Sequence, residues 1–234
     1  MEANAAKFQA IILNETNTHT FNIDGTIVKS EDTVRLLGVK IDSKLNFTPH
    51  IKDVCRKAAA QLSVLQRLQS CLDKATRLQI FKTFIVSQFQ YCSIVWHFCG
   101  EKNTTKMERL QYRALKFVFR DKTSSYPDLL ARANVPSLRL SRERALLLEV
   151  YKAVRHISPI FMRDLFKEKT TGRNLRNKKQ LVRTIKRTNC FGLNTFQDYG
   201  AKLWNSIPNE AKDLNIENFR KWLNTWNGAK QPHQ

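Results

Sequence analysis

TPHIKDVCRKAAAQLSVL, residues 48–65, decides how this chain is read. Ile51, Val54, Cys55, Ala58, Leu62 and Leu65 recur at steps of three and four, the spacing of an amphipathic helix. Thr48 offers a capping hydroxyl, and Pro49 suits the first helical position, where no amide hydrogen is needed. Lys52, Arg56, Lys57 and Arg67 fall on the outer face. The segment before this stretch is strand-like and the segment after it is helical. The expectation is therefore a mainly α chain with a small N-terminal antiparallel β-sheet, an α+β fold.

Upstream, KFQAIIL (7–13) is a short apolar run. HTFNIDGTIVK (19–29) sets Asp24-Gly25 between two strand-like runs, a hairpin signal, because a two-residue type I′ turn needs positive φ at both positions. VRLLGVKID (34–42) reads as a third strand. So small a sheet needs a partner surface to be stable.

Downstream, Asp73 can cap a second helix, with Phe81, Phe84, Ile85, Gln88, Cys92, Val95, Trp96 and Cys99 on one face and Gly100 ending it. Thr105 and Glu108 read as a capping box for a third helix, with Met107, Leu110, Ala114, Phe117 and Val118 inward. Tyr126–Ala133 reads as a short helix. Ser137 opens a longer one to about His156, packing through Leu140, Ala145, Leu148 and Tyr151, and Ile160–Phe166 adds another turn or two. Near the end, Phe196, Tyr199, Leu203, Trp204 and Ile207 suit a helix before Pro208, and Asn215 caps a last one carrying Phe219, Trp222, Leu223 and Trp226.

Charge is the strongest global signal. Forty Lys and Arg against 20 Asp and Glu give +20 at pH 7, an excess that favours a polyanionic partner through counterion release. Lys106, Arg109, Arg113, Lys116 and Arg120 recur at steps of three and four along the third helix. A solvated helix face normally mixes signs; this stripe does not, which favours phosphate contact over simple solvation. A second basic run holds Arg173, Arg176, Lys178, Lys179, Arg183, Lys186 and Arg187 among few apolar residues. It reads as a loop that a polyanion would order, or as a solvated linker.

SQFQYCSIVWHFCG (87–100) concentrates two cysteines, a histidine, a tyrosine and a tryptophan, yet its spacing is that of a core helix. Cys92 and Cys99 stand seven apart, not the two to four of a zinc pair, and the five histidines are scattered, so no metal site is expected. No phosphate-loop or dinucleotide-binding motif and no Asp-Asp pair occurs, and no cofactor is implied. Five cysteines at irregular spacings, without an apolar leader after Met1, read as reduced thiols in an intracellular protein, nuclear or cytoplasmic. The most apolar stretch, 80–99, contains Lys82, Gln88, Gln90 and His97, too polar for a membrane span.

In order, the chain presents VRLLGVKIDSKLNFTPHI, YCSIVWHFCG, KMERLQYRALKFVFRD, YPDLLARANVPSLRLSRERALLLEVYKAV and, after the basic loop, FQDYGAKLWNSIP. This series resembles the C-terminal part of a non-LTR (LINE-type) retrotransposon reverse transcriptase, over nearly the whole chain. The resemblance implies a remnant of the polymerase palm in 1–47, a helical thumb-like domain in 48–166, a basic loop in 167–190 and a C-terminal helical segment in 191–234. It implies that Lys7, after Asn4-Ala-Ala, is similar to a palm lysine near the incoming nucleotide, and that Leu37-Gly38 is similar to the motif gripping the primer terminus. The family's three metal-binding carboxylates would lie upstream of Asn4. The expectation is a truncated reverse transcriptase that binds RNA or DNA mostly through phosphates and does not polymerise on its own. The alternative is a helical protein-interaction module, or an adaptor complementing a polymerase, docking through Phe219, Trp222, Leu223 and Trp226.

Overall fold

A computed structural model of the chain describes residues 7–15, 17–23, 25–68, 70–169, 179–183 and 195–228. It divides into two compact units, Met1–Leu138 and Arg139–Gln234. The division falls inside the stretch 48–166 that the sequence suggested as one domain.

The first unit opens with two antiparallel hairpins, β1 (Thr20–Ile23) with β2 (Thr26–Lys29), and β3 (Thr33–Leu36) with β4 (Val39–Asp42). Ile23 pairs with Thr26, so the expected two-residue turn is there, with Gly25 at φ 81°; Asp24 lies outside the described residues. VRLLGVKID is not one strand. It folds back on itself at Leu37 and Gly38, which take φ 46° and 86°. The chain thus forms two separate two-stranded sheets, not one. KFQAIIL contributes no strand, only an isolated bridge from Ala10 to Ser30. β1 is exposed along its length, whereas Val39 and Asp42 of β4 are buried.

Helix α1 (Thr48–Arg67) comes next, and all six residues of the expected apolar stripe are buried. Its start differs from expectation. Thr48 is already helical, and the N-cap is Phe47 in a left-handed conformation at φ 55°. The buried Asp42 carboxylate holds this bend by accepting from the amides of Asn46 and Phe47 at 3.2 and 2.6 Å. These amides precede the first turn, so the bend into α1 is fixed by a carboxylate from the neighbouring strand while the helix itself has no side-chain cap.

Asp73 caps α2 (Lys74–Ile80), accepting from the Thr76 amide at 2.8 Å. Beyond Ile80 the regular helix ends. A π-helical turn (Phe81–Ile85) and a 3₁₀ turn (Val86–Phe89) lead into a series of turns, with Cys92 left-handed at φ 48°. Phe84 and Val95, expected inside, are exposed, while Phe81, Ile85, Trp96 and Cys99 are buried. The extra residue in the π turn rotates the register of the residues after it, so period-3.6 counting fails past Phe81. Trp96 is fully buried and its Nε1 donates to the Tyr91 carbonyl at 3.1 Å.

Gly100 does not end this segment; at φ 81° it is the N-cap of α3 (Glu101–Phe119). Thr105 and Glu108 therefore lie inside α3 and form no capping box. The inward face holds Met107, Leu110, Ala114, Leu115 and Val118. Asn103 joins the starts of the two long helices, its Nδ2 donating to Thr48 Oγ1 at 3.0 Å. The short α4 (Tyr126–Ala133), capped by Ser125, packs beside α3.

In the second unit, α5 (Leu138–Val154) buries Arg142, Glu143, Leu146, Leu147, Val150, Tyr151 and Ala153. Of the four residues expected to pack, only Tyr151 is fully buried. α6 (Ile160–Arg163) is a single turn. Within the basic stretch, Glu168 and Leu181 form an isolated antiparallel bridge. α7 (Phe196–Ser206), α8 (Asn209–Asp213) and α9 (Ile216–Thr225) complete the unit, with Asn215 capping α9 by accepting from the Asn218 amide at 2.9 Å. Gly200 of α7 permits a close crossing: a Cβ there would meet Val150 Cγ2 at 2.8 Å.

Candidate nucleic-acid interface

α1 and α3 are neighbours in the first unit, and the space between their outer flanks is a groove of about 570 Å³. Six cations line it: Lys52 and Arg56 from α1, and Lys102, Lys106, Arg109 and Arg113 from α3. Its floor is Cys55, Ala59 and Leu110, and no carboxylate lines it. The spacing explains the arrangement. Residues four apart on α1, and 102, 106, 109 and 113 on α3, each project as one row. The two rows face a common apolar channel.

The groove cations are largely uncommitted. Among the described residues, Lys52, Lys102, Lys106, Arg109 and Arg113 make no salt bridge, and Arg56 reaches only Asp53, at 3.5 Å. Asp53 is engaged more closely by Lys40, at 2.7 Å, and the hydrogen bond from Lys40 is the main cause holding its carboxyl below the usual value. Burial pushes the Cys55 thiol up, which favours its neutral form.

The sequence-derived site residues divide. Lys106, Arg109 and Arg113 line the groove. Lys116 does not; its ammonium lies over the Tyr112 ring, 4.3 Å from the centroid. Arg120 is the left-handed C-cap of α3, at φ 52°, and leaves the register of the stripe. Lys52, Arg56 and Lys102 were missed. Their signal was present: Lys102 precedes Lys106 by one turn, and Lys52 and Arg56 are themselves one turn apart.

In the second basic run, Arg173, Arg176, Lys178, Lys186 and Arg187 lie outside the described residues. The two that are described are paired within the second unit. Arg183 donates twice to the buried Asp198, at 3.2 and 2.9 Å, and Lys179 pairs with Asp213. Lys7 is exposed near the start of the described chain. Leu37 and Gly38 are the turn of the β3–β4 hairpin, and the Leu37 carbonyl accepts from Tyr91 Oη at 2.7 Å.

Phe219, Trp222, Leu223 and Trp226 do not form an exposed row. Phe219 and Leu223 are buried, and Phe219 stacks on Tyr151 with centroids 4.3 Å apart. Trp222 and Trp226 are half-buried. Among the described residues no group of three or more His, Cys, Asp or Glu side chains is placed to hold a metal, and no helix is long and apolar enough to cross a membrane.

Compared with protein-family models, curated proteins and solved structures, the chain matches none.

Proposed function

We propose that this chain binds RNA or DNA through the phosphate backbone, in the cationic groove between α1 and α3, as the thumb-like part of a non-LTR reverse transcriptase. The observation that carries the reading is the groove itself: six cations in two facing rows, five of them without an acidic partner among the described residues. Phosphates entering there displace condensed counterions, and that release drives binding with little regard to sequence. No base-stacking ring lines the groove, which fits contact with the backbone and not with the bases.

Fluorescence anisotropy with RNA and DNA oligonucleotides over a salt series tests this. Log affinity should fall by about 0.7 to 0.9 per log unit of salt for each phosphate neutralised. Arg109→Gln with Arg113→Gln should weaken binding on every sequence and flatten that slope. An unchanged slope in the double variant would remove the groove as the contact surface. Primer-extension assays with Mg²⁺ or Mn²⁺ should give no product, because phosphoryl transfer by this family relies on carboxylate-held metals. The adaptor reading is less supported, since half of its anchor residues form part of a core.

A further inference from the structure

The groove between α1 and α3 has charged banks and an uncharged bed. Between the six cations of the two rows, the floor is Cys55, Ala59 and Leu110. Ala59 and Leu110 have no side-chain donor, and a thiol such as that of Cys55 is a weak one. These residues lie inside α1 and α3, so their backbone amides are already bonded within the helices. The methylene stems of the six cations widen the apolar strip.

The groove is also narrow and straight. Both helices begin at the same end, where Asn103 Nδ2 donates to Thr48 Oγ1 at 3.0 Å, so the two banks start side by side. Packed helices stand about 8–10 Å apart, which leaves room for one backbone. A whole duplex cannot enter, since its major groove alone is about 12 Å wide. It would meet the channel only with the ridge of one strand. On that ridge the phosphates are outermost and the sugars lie behind them, so anionic oxygen would rest on a floor without donors. Along α3, the row from Lys102 to Arg113 spans about 16 Å at 1.5 Å per residue. A duplex strand turns by about 34° per nucleotide, which carries its phosphates off so straight a row.

We propose that the groove takes a single-stranded segment of RNA or DNA, with its sugars on the apolar floor and its phosphates turned to the two cationic banks. This rests on the phosphate-binding reading of the groove and narrows it. An unpaired strand has free backbone torsions, so it follows a straight row and turns each phosphate toward a bank. A ligand with one charge on every unit suits rows with a cation on every turn. The bases then point away from the protein, in keeping with a groove lining that contains no aromatic ring. No side-chain oxygen or nitrogen stands on the floor to engage a 2′-hydroxyl, so RNA and DNA strands are held alike.

Competition anisotropy on the full chain tests this with an oligothymidylate, its duplex with oligoadenylate, and an abasic strand of the same length. At equal salt the single strand should bind about tenfold more tightly than the duplex, the scale of one polar group left unmatched. The abasic strand should stay within about threefold of the oligothymidylate, because backbone contacts carry the binding. Ala59→Lys sets a donor on the floor, at a partly exposed position where lysine is a good helix former. It should strengthen duplex binding and shrink the preference to about twofold. A preference unchanged in the folded Ala59→Lys variant, or an abasic strand that does not bind, overturns the proposal. So does an acidic helical peptide that displaces the strand more readily than oligothymidylate does. A duplex bound as tightly as the strand, with both weakened by Arg109→Gln with Arg113→Gln, overturns the single-strand inference and leaves the phosphate-binding reading standing. Affinities that do not respond to that double variant overturn the reading and this inference with it.

Discussion

Both compact units are rich in Lys and Arg, and they use them differently. In Arg139–Gln234 several of the described cations complete the structure. Arg183 grips the buried Asp198, Lys152 meets Glu149 at 2.5 Å, and Arg144 donates twice to the Trp226 carbonyl, at 3.0 and 2.7 Å. Arg155 donates to the Lys212 carbonyl at 2.7 Å, and Lys212, nearly buried, stands over the Trp204 ring. Along the α1–α3 groove, five cations have no such partner among the described residues. Net charge therefore overstates what a polyanion can reach. The contrast separates cations that close helix ends and neutralise buried acids from cations left unpaired among the described residues.

The largest expected effect breaks the structural half of that contrast. Arg183→Ala leaves the Asp198 carboxylate, 3% exposed, without its guanidinium. Removing one member of a buried pair is costly, though the 40% exposure of the Arg183 side chain tempers the loss, so about 2 kcal/mol of unfolding free energy should go. Urea denaturation measures it, and affinity for nucleic acid should stay within about twofold where the variant is folded. Next comes the functional half. Lys52→Gln with Lys102→Gln should weaken nucleic-acid binding by about tenfold at moderate salt and change stability by no more than about 0.5 kcal/mol. If the effects were exchanged, with Arg183 governing affinity and the groove pair governing stability, the comparison would fail.

Those two pairs also mark what could be read from the sequence. The buried faces of α1, α3, α7 and α9 were legible because each runs at constant period, although only α7 and α9 begin at a side-chain cap, Thr195 and Asn215. The stretch after Phe81 was not, because a π turn and the left-handed Cys92 shift the register, and neither leaves a residue-type signature. The Leu37–Gly38 turn was hidden since a single glycine inside a β-branched run also reads as a continuous strand. Half of the groove was visible as the α3 stripe. Lys102 extends that stripe by one turn, whereas Lys52 and Arg56 needed α1 to lie beside α3, a fact of packing. The partners of Arg183 and Lys179 stand 15 and 34 residues away in sequence, so no local pattern announces them.

A smaller effect concerns the flank of α1 opposite the groove. The His50 pKa is lowered in the folded protein, mainly by burial, so the unfolded chain binds the proton more readily. By linkage, this histidine's contribution is fully present above 6.5, its ordinary value, and stability is lost as pH falls below that toward the folded-state value. His50→Gln should remove this acid limb from a pH series of thermal melts. An identical limb in the variant would assign it to other groups.

The smallest effect is the sharpest test of the groove's edge. Lys116 continues the cationic spacing of α3, and from sequence it ranks equally with Arg113. In the structure its ammonium rests on the Tyr112 ring and it does not line the groove. Lys116→Gln should therefore change nucleic-acid affinity by no more than about twofold, the scale of a screened, indirect charge. Arg113→Gln alone should lower it severalfold and reduce the salt slope by about one phosphate. Equal losses would mean that binding reads the summed charge of the helix, whereas a clear difference would mean that it reads the groove.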